Sequence, residues 1–342
     1  SHCLGNPAMD PVTQGVLGAS LPQAVARNKQ QLGIAGLLGV LGGMAPDLDV
    51  LIRSNTDPLL FLEYHRQFTH SLFFIPFGGV MVGVLLYYLL GKRHGLTLLA
   101  TCVYTTLGYA THALLDACTS YGTLLLWPFS SERFAWNTIS VIDPLYTLPL
   151  LVGVLMAAIK KQARFARAAL VWALIYPLVG AMQRDRAITA GWELAMSRGH
   201  QPIRLEAKPS FGNIVLWKTV YETDDYYYVD AVHVAGQVKP YLGDRAKKLA
   251  IAQDFSWLDV DSQQARDIER FRWFSNGYIA LDPSNSQRII DVRYSLVPNE
   301  IASLWGIQLS PAADADSHVT YTAARQLSDR QRETFVRQLL GR

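Results

Sequence analysis

The sequence predicts an α-helical polytopic membrane domain followed by a soluble α+β domain. Two observations lead to this reading: an uneven spread of charge and a series of apolar segments. A third, the placement of basic residues between those segments, orients them. Residues 1–183 hold 11 Lys/Arg and 8 Asp/Glu, whereas residues 184–342 hold 20 of each. The slightly positive mean hydropathy is therefore an average over an oily half and an ordinary water-soluble half. A chain of 342 residues is long enough for two domains. The expected boundaries are 9–186 for the membrane domain, with about six helices, and 187–342 for an extracytoplasmic α+β domain. Net charge is only +3 and no basic tract is present, which excludes nucleic acid as a partner.

Residues 1–8 read as the remnant of an expression tag before Met9, so His2 and Cys3 carry no weight. Cys102 and Cys118 lie 16 positions apart in one apolar stretch. On a helix that is roughly 24 Å, beyond disulfide reach. No cleavable signal peptide is apparent, and targeting is expected to rest on the first membrane segments.

A span needs about 20 apolar residues. Leu72–Leu90 and Gly95–Leu115 meet that length, and the second contains His112 as its ionisable group. Gln30–Pro46, Pro144–Ile159 and Ala168–Gln183 are shorter candidates. Pro11–Ala26, with Pro22 and several polar residues, reads either as a span or as a re-entrant or interfacial helix. Six spans with the N-terminus outside place Arg27, Lys29, Lys92, Arg93, Lys160, Lys161, Arg164 and Arg167 in the inner loops. Arg53, Arg66 and Arg133 fall in the outer loops among five carboxylates. Basic residues favour the cytoplasmic side. This orientation predicts a multi-pass protein of a bacterial inner membrane with a periplasmic C-terminal domain. In that domain Ile214–Tyr221, Tyr226–Val234, Arg288–Leu296 and His318–Ala323 read as strands. Asp261–Phe274 and Ser328–Leu340 read as helices.

The unusual polar residues all fall at the predicted outer face: Asp47, Asp49, His65, Arg66, His70, His112, Asp116 and Asp143. Each piece alone has an ordinary explanation. Asp47 and Asp49 can punctuate a helix end after Pro46. His65 and His70, around a helix start expected at Thr69, can simply be solvated. Arg66 can be held by Asp57 or Glu63. Asp143 before Pro144 fits a helix cap. His112 and Asp116 are four apart and share one helix face. Together, three histidines and several carboxylates from three segments form the nitrogen and oxygen set that Zn²⁺, Mn²⁺ or Fe²⁺ takes. Ionisable groups at membrane depth are costly and usually functional. The donors exceed what one tetrahedral ion needs, which leaves two metals or one metal with supporting carboxylates open.

These residues resemble a known family. Met9-Asp10-Pro11-Val12-Thr13, Pro46-Asp47-Leu48-Asp49, His65-Arg66-x-x-Thr69-His70-Ser71, His112-x-x-x-Asp116, Gly122 and Trp127-Pro128-Phe129-Ser130 are similar to the YdjM-type membrane-bound metal-dependent hydrolases. The resemblance covers most of residues 9–145. It is looser beyond, at Trp217, Tyr227 and Asp291-x-Arg293-Tyr294. It implies a metal-dependent hydrolase with Asp47, Asp49, His65, His70, His112 and Asp116 as ligands. The chain departs from the pattern at Thr13-Gln14, where relatives often carry Thr-His. The His-x-x-x-Asp pair is also similar to one in zinc-dependent phospholipases C.

The expectation is a hydrolase acting on an ester or phosphoester of a membrane lipid or lipid-linked substrate, with one to three divalent ions, chiefly zinc. Asp49 or Asp116 would serve as acid or base and Arg66 would hold an anion. Two alternatives remain open at this point. One is a divalent-cation transporter; the other is a non-enzymatic membrane protein with a structural metal site.

Overall fold

The computed structural model describes residues 10–323 and 328–342. The segment read as a tag, 1–8, lies outside them. The chain divides into two compact units. The first runs to Ile52 and resumes over Tyr64–Ala181 and Phe211–Asn213. The second comprises Arg53–Glu63, Met182–Ser210 and Ile214–Arg342.

In the first unit, α1 (Pro11–Val25) starts where the Asp10 carboxylate accepts from Val12 N and Pro11 takes the first helical position. It is buried along nearly its whole length, every residue from Thr13 to Ser20 included. α2 (Leu32–Met44) passes into a 3-10 helix over Ala45–Leu51. Pro46 lacks the N–H that would continue the α pattern. α3 (Leu60–Tyr64) is one short turn that belongs, up to Glu63, to the second unit. α4 (Ile75–Leu86) continues through a π turn to Gly91 and a 3-10 turn to His94. α5 (Leu98–Cys118) is capped by Thr97. α6 (Pro144–Lys160) is capped by Asp143, which accepts from Leu145 N and Tyr146 N. α7 (Ala163–Ser197) is a single helix of 35 residues, shared between the units at Ala181/Met182.

Among the described residues four helical stretches are long and apolar enough to cross a bilayer: Lys29–Leu51, Ile75–His94, Leu98–Cys118 and Ala163–Ser197. α1, read either as a span or as a re-entrant or interfacial helix, has 15 residues, and α6, expected as a span, has 17. A 15-residue helix rises about 22 Å, short of a bilayer core of roughly 30 Å. The helix expected to start at Thr69 starts instead at Ile75, with Pro76 in its first turn; Thr69 sits in the 3-10 turn Phe68–His70.

Glycines bring α1, α2 and α5 into backbone contact. A Cβ on Gly39 would collide with the Gly18 carbonyl and the Pro22 ring, and one on Gly108 with the Gly39 carbonyl. Small residues permit this approach in membrane bundles, where packing replaces the hydrophobic drive. Leu32, Ala35, Leu38, Leu86, Leu96 and Tyr104 fill the adjacent core.

The second unit holds two antiparallel sheets. β1 (Arg204–Pro209), β2 (Leu216–Glu222), β3 (Tyr226–His233) and β4 (Lys239–Tyr241) lie in that order, and β5 (Arg245–Lys247) also pairs with β3. After the short α8 (Ile251–Asp254) and α9 (Gln263–Phe274) comes the second sheet. Its order is β6 (Ile279–Asp282), β7 (Asn285–Asp291), β8 (Trp305–Gln308) and β9 (Thr320–Ala323). α10 (Asp329–Leu339) closes the chain behind a Ser328/Gln331 capping box. Val220, Tyr227 and Val229 of one sheet share a core with Ala280 and Ile290 of the other. Trp217 and Tyr227 are buried, and Arg293 forms a bidentate pair with Asp291, so these family-like positions build this core. Arg270 of α9 binds Asp57 and Glu63 as well as Asp267, which ties residues 53–63 into this unit.

Candidate metal centre

Three segments of the first unit converge on one point. The 3-10 helix after α2 supplies Asp47 and Asp49. His65 and His70 come from the connection before α4, where Arg66 adopts a left-handed φ of 65°. That turn is pinned on both sides, because Arg66 N donates to Asp49 Oδ2 and Leu124 N donates to the Arg66 carbonyl. As a result the His65 and His70 rings face one another with centroids 5.7 Å apart. α5 supplies His112 and Asp116 one turn apart, both fully buried.

Hydrogen bonds fix which imidazole nitrogens are free. His112 Nδ1 lies 2.5 Å from the Gly43 carbonyl, which can only accept, so Nδ1 carries the proton and Nε2 presents its lone pair. Thr69 Oγ1 donates to Asp49 Oδ2 at 2.7 Å and accepts from His70 Nδ1 at 2.9 Å. His70 therefore turns its Nε2 toward His112 Nε2, 2.8 Å away. Two such nitrogens face each other only across a shared proton or a cation. Burial disfavours a charge on His70, but the carboxylates of Asp116, Asp47 and Asp49 within 3.5 Å of its ring nitrogens outweigh it and hold the imidazolium well above the usual histidine range. His65 is pushed the other way by burial, against its bond to Asp49.

Two groups of donors result. Asp47, His70, His112 and Asp116 form one; Asp47, Asp49 and His65 form the other, each with donor atoms within 4.8 Å of one another. In the first, the histidine Nε2 atoms lie 3.4–3.5 Å from Asp47 Oδ1 and 3.3–3.7 Å from Asp116 Oδ2. Zinc bonds of about 2.0–2.1 Å in a tetrahedron set ligands roughly 3.3 Å apart. The histidine–carboxylate spacings match that edge, whereas the 2.8 Å between the two Nε2 atoms is shorter and would open on binding. Asp47 Oδ1, Asp116 Oδ2 and His65 Nε2 are buried and take part in no hydrogen bond among the described residues. Buried polar atoms without partners are uncommon and call for an explanation. Three carboxylates face one guanidinium here, an excess of negative charge that a divalent cation offsets.

Asp49 differs from the other two acids. It accepts from His65 Nδ1, Arg66 N and Thr69 Oγ1, so both oxygens are taken up. Arg66 is 2% exposed. Its Nε lies 3.1 Å from Asp116 Oδ2, an ionic contact off the hydrogen-bond axis, and its Nη1 donates to Thr119 Oγ1. Nη2 has no partner among the described residues. The alternative partners Asp57 and Glu63 are engaged by Arg270 instead. Asp143 stays outside both groups; it caps α6 and accepts from the Tyr176 hydroxyl. One further buried neighbour stands at the Thr13-Gln14 departure from the family pattern. Gln14, in α1, donates from Nε2 to Asp116 Oδ1 at 2.8 Å. The available signal was a carboxamide early in an apolar segment.

No solved structure matches this chain. An uncharacterized protein of Bacillus subtilis, YfhP, is 28% identical over 142 residues, which are 40% of this chain and 42% of that protein. The chain thus matches less than half the length of this relative. The sequence profile of the YdjM inner membrane protein family matches residues 9–187, which takes in α1 to α6, most of α7 and every residue of the buried His/Asp cluster, and the chain belongs to that family.

Proposed function

We propose that this protein is a metal-dependent hydrolase that cleaves an ester or phosphoester of a lipid or lipid-linked substrate at the outer face of the inner membrane. The observation that supports it most is the convergence of buried, unpartnered donors beside a guanidinium with a free Nη2. Bound there, a divalent ion (zinc, with manganese or iron as alternatives) would polarise the ester and lower the pKa of a water to about 7. His70, His112, Asp47 and Asp116 would hold it, and Asp47, Asp49 and His65 would hold a second.

The residues divide the remaining work. Asp49, saturated by donors, fixes the tautomers of His65 and His70. Proton transfer would fall to Asp49 or Asp116, the two carboxylates nearest the histidines of both positions. Arg66 would bind the anionic oxygens through Nη2, the geometry for which a guanidinium is suited. Asp47 is the partly open member, with a side chain 18% exposed, and marks the side from which substrate enters. The outer face follows from the basic residues of the opposite loops. The position of His112 and Asp116 in the last turns of α5, away from a span midpoint, argues against transport.

The test is metal content and turnover of detergent-purified protein. Wild type should carry one to three equivalents of Zn, Mn or Fe and hydrolyse at least one phospholipid or lipid-linked phosphate. His112→Ala and Asp116→Ala should lose both. Absence of metal in wild type after reloading would end the hydrolase reading.

A further inference from the structure

We infer that Gln14 belongs to the metal centre, supplying a neutral oxygen donor to the position formed by Asp47, His70, His112 and Asp116 while holding Asp116 in place. The inference rests on the metal-centre reading above and adds a residue to it. Gln14 is fully buried in α1, where a carboxamide is costly unless both its ends are bonded. One end is bonded: Nε2 donates to Asp116 Oδ1 at 2.8 Å. A carboxylate accepts and cannot donate, so this contact fixes the amide orientation. The nitrogen faces Asp116 and the oxygen faces elsewhere. That oxygen, Oε1, is buried and accepts no hydrogen bond among the described residues. It sits about 2.3 Å from its own nitrogen, and hence within roughly 5 Å of Asp116 Oδ1.

The same bond leaves Asp116 with one oxygen committed and Oδ2 turned toward His70 Nε2 and His112 Nε2. The backbone at Gln14 is held against α2. Gly43 of α2 packs directly against the Gln14 carbonyl, with no room for a side chain between them. With Gln14 included, the first position has two nitrogen and three oxygen donors, a set that admits manganese and iron beside zinc.

Cobalt(II) titration of the full-length protein in detergent, followed by its visible absorption, tests this. Gln14→Met keeps the bulk of the side chain and removes both polar ends. It should bind Co²⁺ about 10–100-fold more weakly than wild type and shift the visible band. Gln23→Met is the control. Gln23 is the other buried glutamine of α1; its Oε1 likewise accepts no hydrogen bond among the described residues, but its Nε2 serves the Leu32 and Val154 carbonyls and no donor of the centre. That variant should leave affinity and spectrum unchanged. If Gln14→Met fails to fold, Gln14→Asn withdraws the oxygen by one methylene and should weaken binding in the same sense. Wild-type affinity and spectrum in the Gln14 variants would overturn this inference alone. A wild type that takes up no Co²⁺ would overturn it together with the metal centre.

Discussion

At the scale of single residues, the two donor groups meet in Asp47. Asp47→Ala should therefore empty both positions, whereas Asp49→Asn should weaken the position formed by Asp47, Asp49 and His65 and leave the other occupied. Metal analysis after dialysis against a graded chelator separates these outcomes. Arg66→Ala should lower kcat/KM on an anionic substrate by roughly 10²-fold, and Arg66→Lys should recover only part, since an ammonium lacks the planar fork. A separate residue sets a pH dependence in the second unit. Lys218 is buried and its amine is pushed down to about 7 by burial, while Nζ donates to Ser295 Oγ and the Glu300 carbonyl. The unfolded chain holds that proton up to about pH 10.4. Between pH 7 and 10 the unfolded state thus binds more protons, so stability rises with pH across this window and the penalty is fully present below it. The Tm of the full-length protein should climb from pH 7 to 9, and Lys218→Met should flatten that rise.

At the scale of elements, the glycine contacts among α1, α2 and α5 hold the site's walls together. Gly39→Val would drive a side chain into the Gly18 carbonyl and Pro22, and should cost about 1–3 kcal/mol and reduce metal retention. Thermal unfolding with metal analysis on the same sample checks both. These elements also show what the sequence could and could not say. The positions of α2, α4 and α5 were legible, because long uncharged runs have few other uses. The polar cluster was legible for the same reason: His112, Asp116, Asp47 and Asp49 stand out against apolar neighbours. Which imidazole nitrogen is free was not, since it depends on Gly43 and Thr69, residues without a chemical signature of their own. β1 and β8 were missed as well. β1 is an edge strand that mixes Arg204, Glu206 and Lys208, and β8 is four residues long with Gly306 inside it. β8 is too short to show the alternation that marks a strand, and in β1 the alternation has only Leu205 and Ala207 between three charged residues to carry it.

At the scale of the whole molecule, the charge split between the halves corresponds to the two units, except that Phe211–Asn213 belongs to the first and residues 53–63 to the second. Residues 53–63, flanked by spans in sequence, fold with the second unit through Arg270. Arg270→Met should free that stretch, visible as faster amide exchange over 53–63. The proposed orientation makes a sharper prediction. A cysteine at Asp224, in the β2–β3 turn, should react with a membrane-impermeant maleimide in intact spheroplasts, and one at Arg93 only after lysis. The reverse pattern would invert the topology.

The unsatisfied carboxylates between α2 and α5 have a consequence for how this protein is made. Without a counter-ion, Asp47 and Asp116 repel each other across the surface that must close when the helices assemble. A ligand that binds only the folded chain stabilises it by about 2.7 kcal/mol at 100 times its Kd. Assembly in the bilayer and metal supply are then linked. Cells starved of the ion should accumulate less of the protein, and Asp47→Asn with Asp116→Asn, which removes the repulsion, should restore its abundance while leaving it inactive. Quantitative immunoblotting of membranes from chelator-treated cultures would read this out.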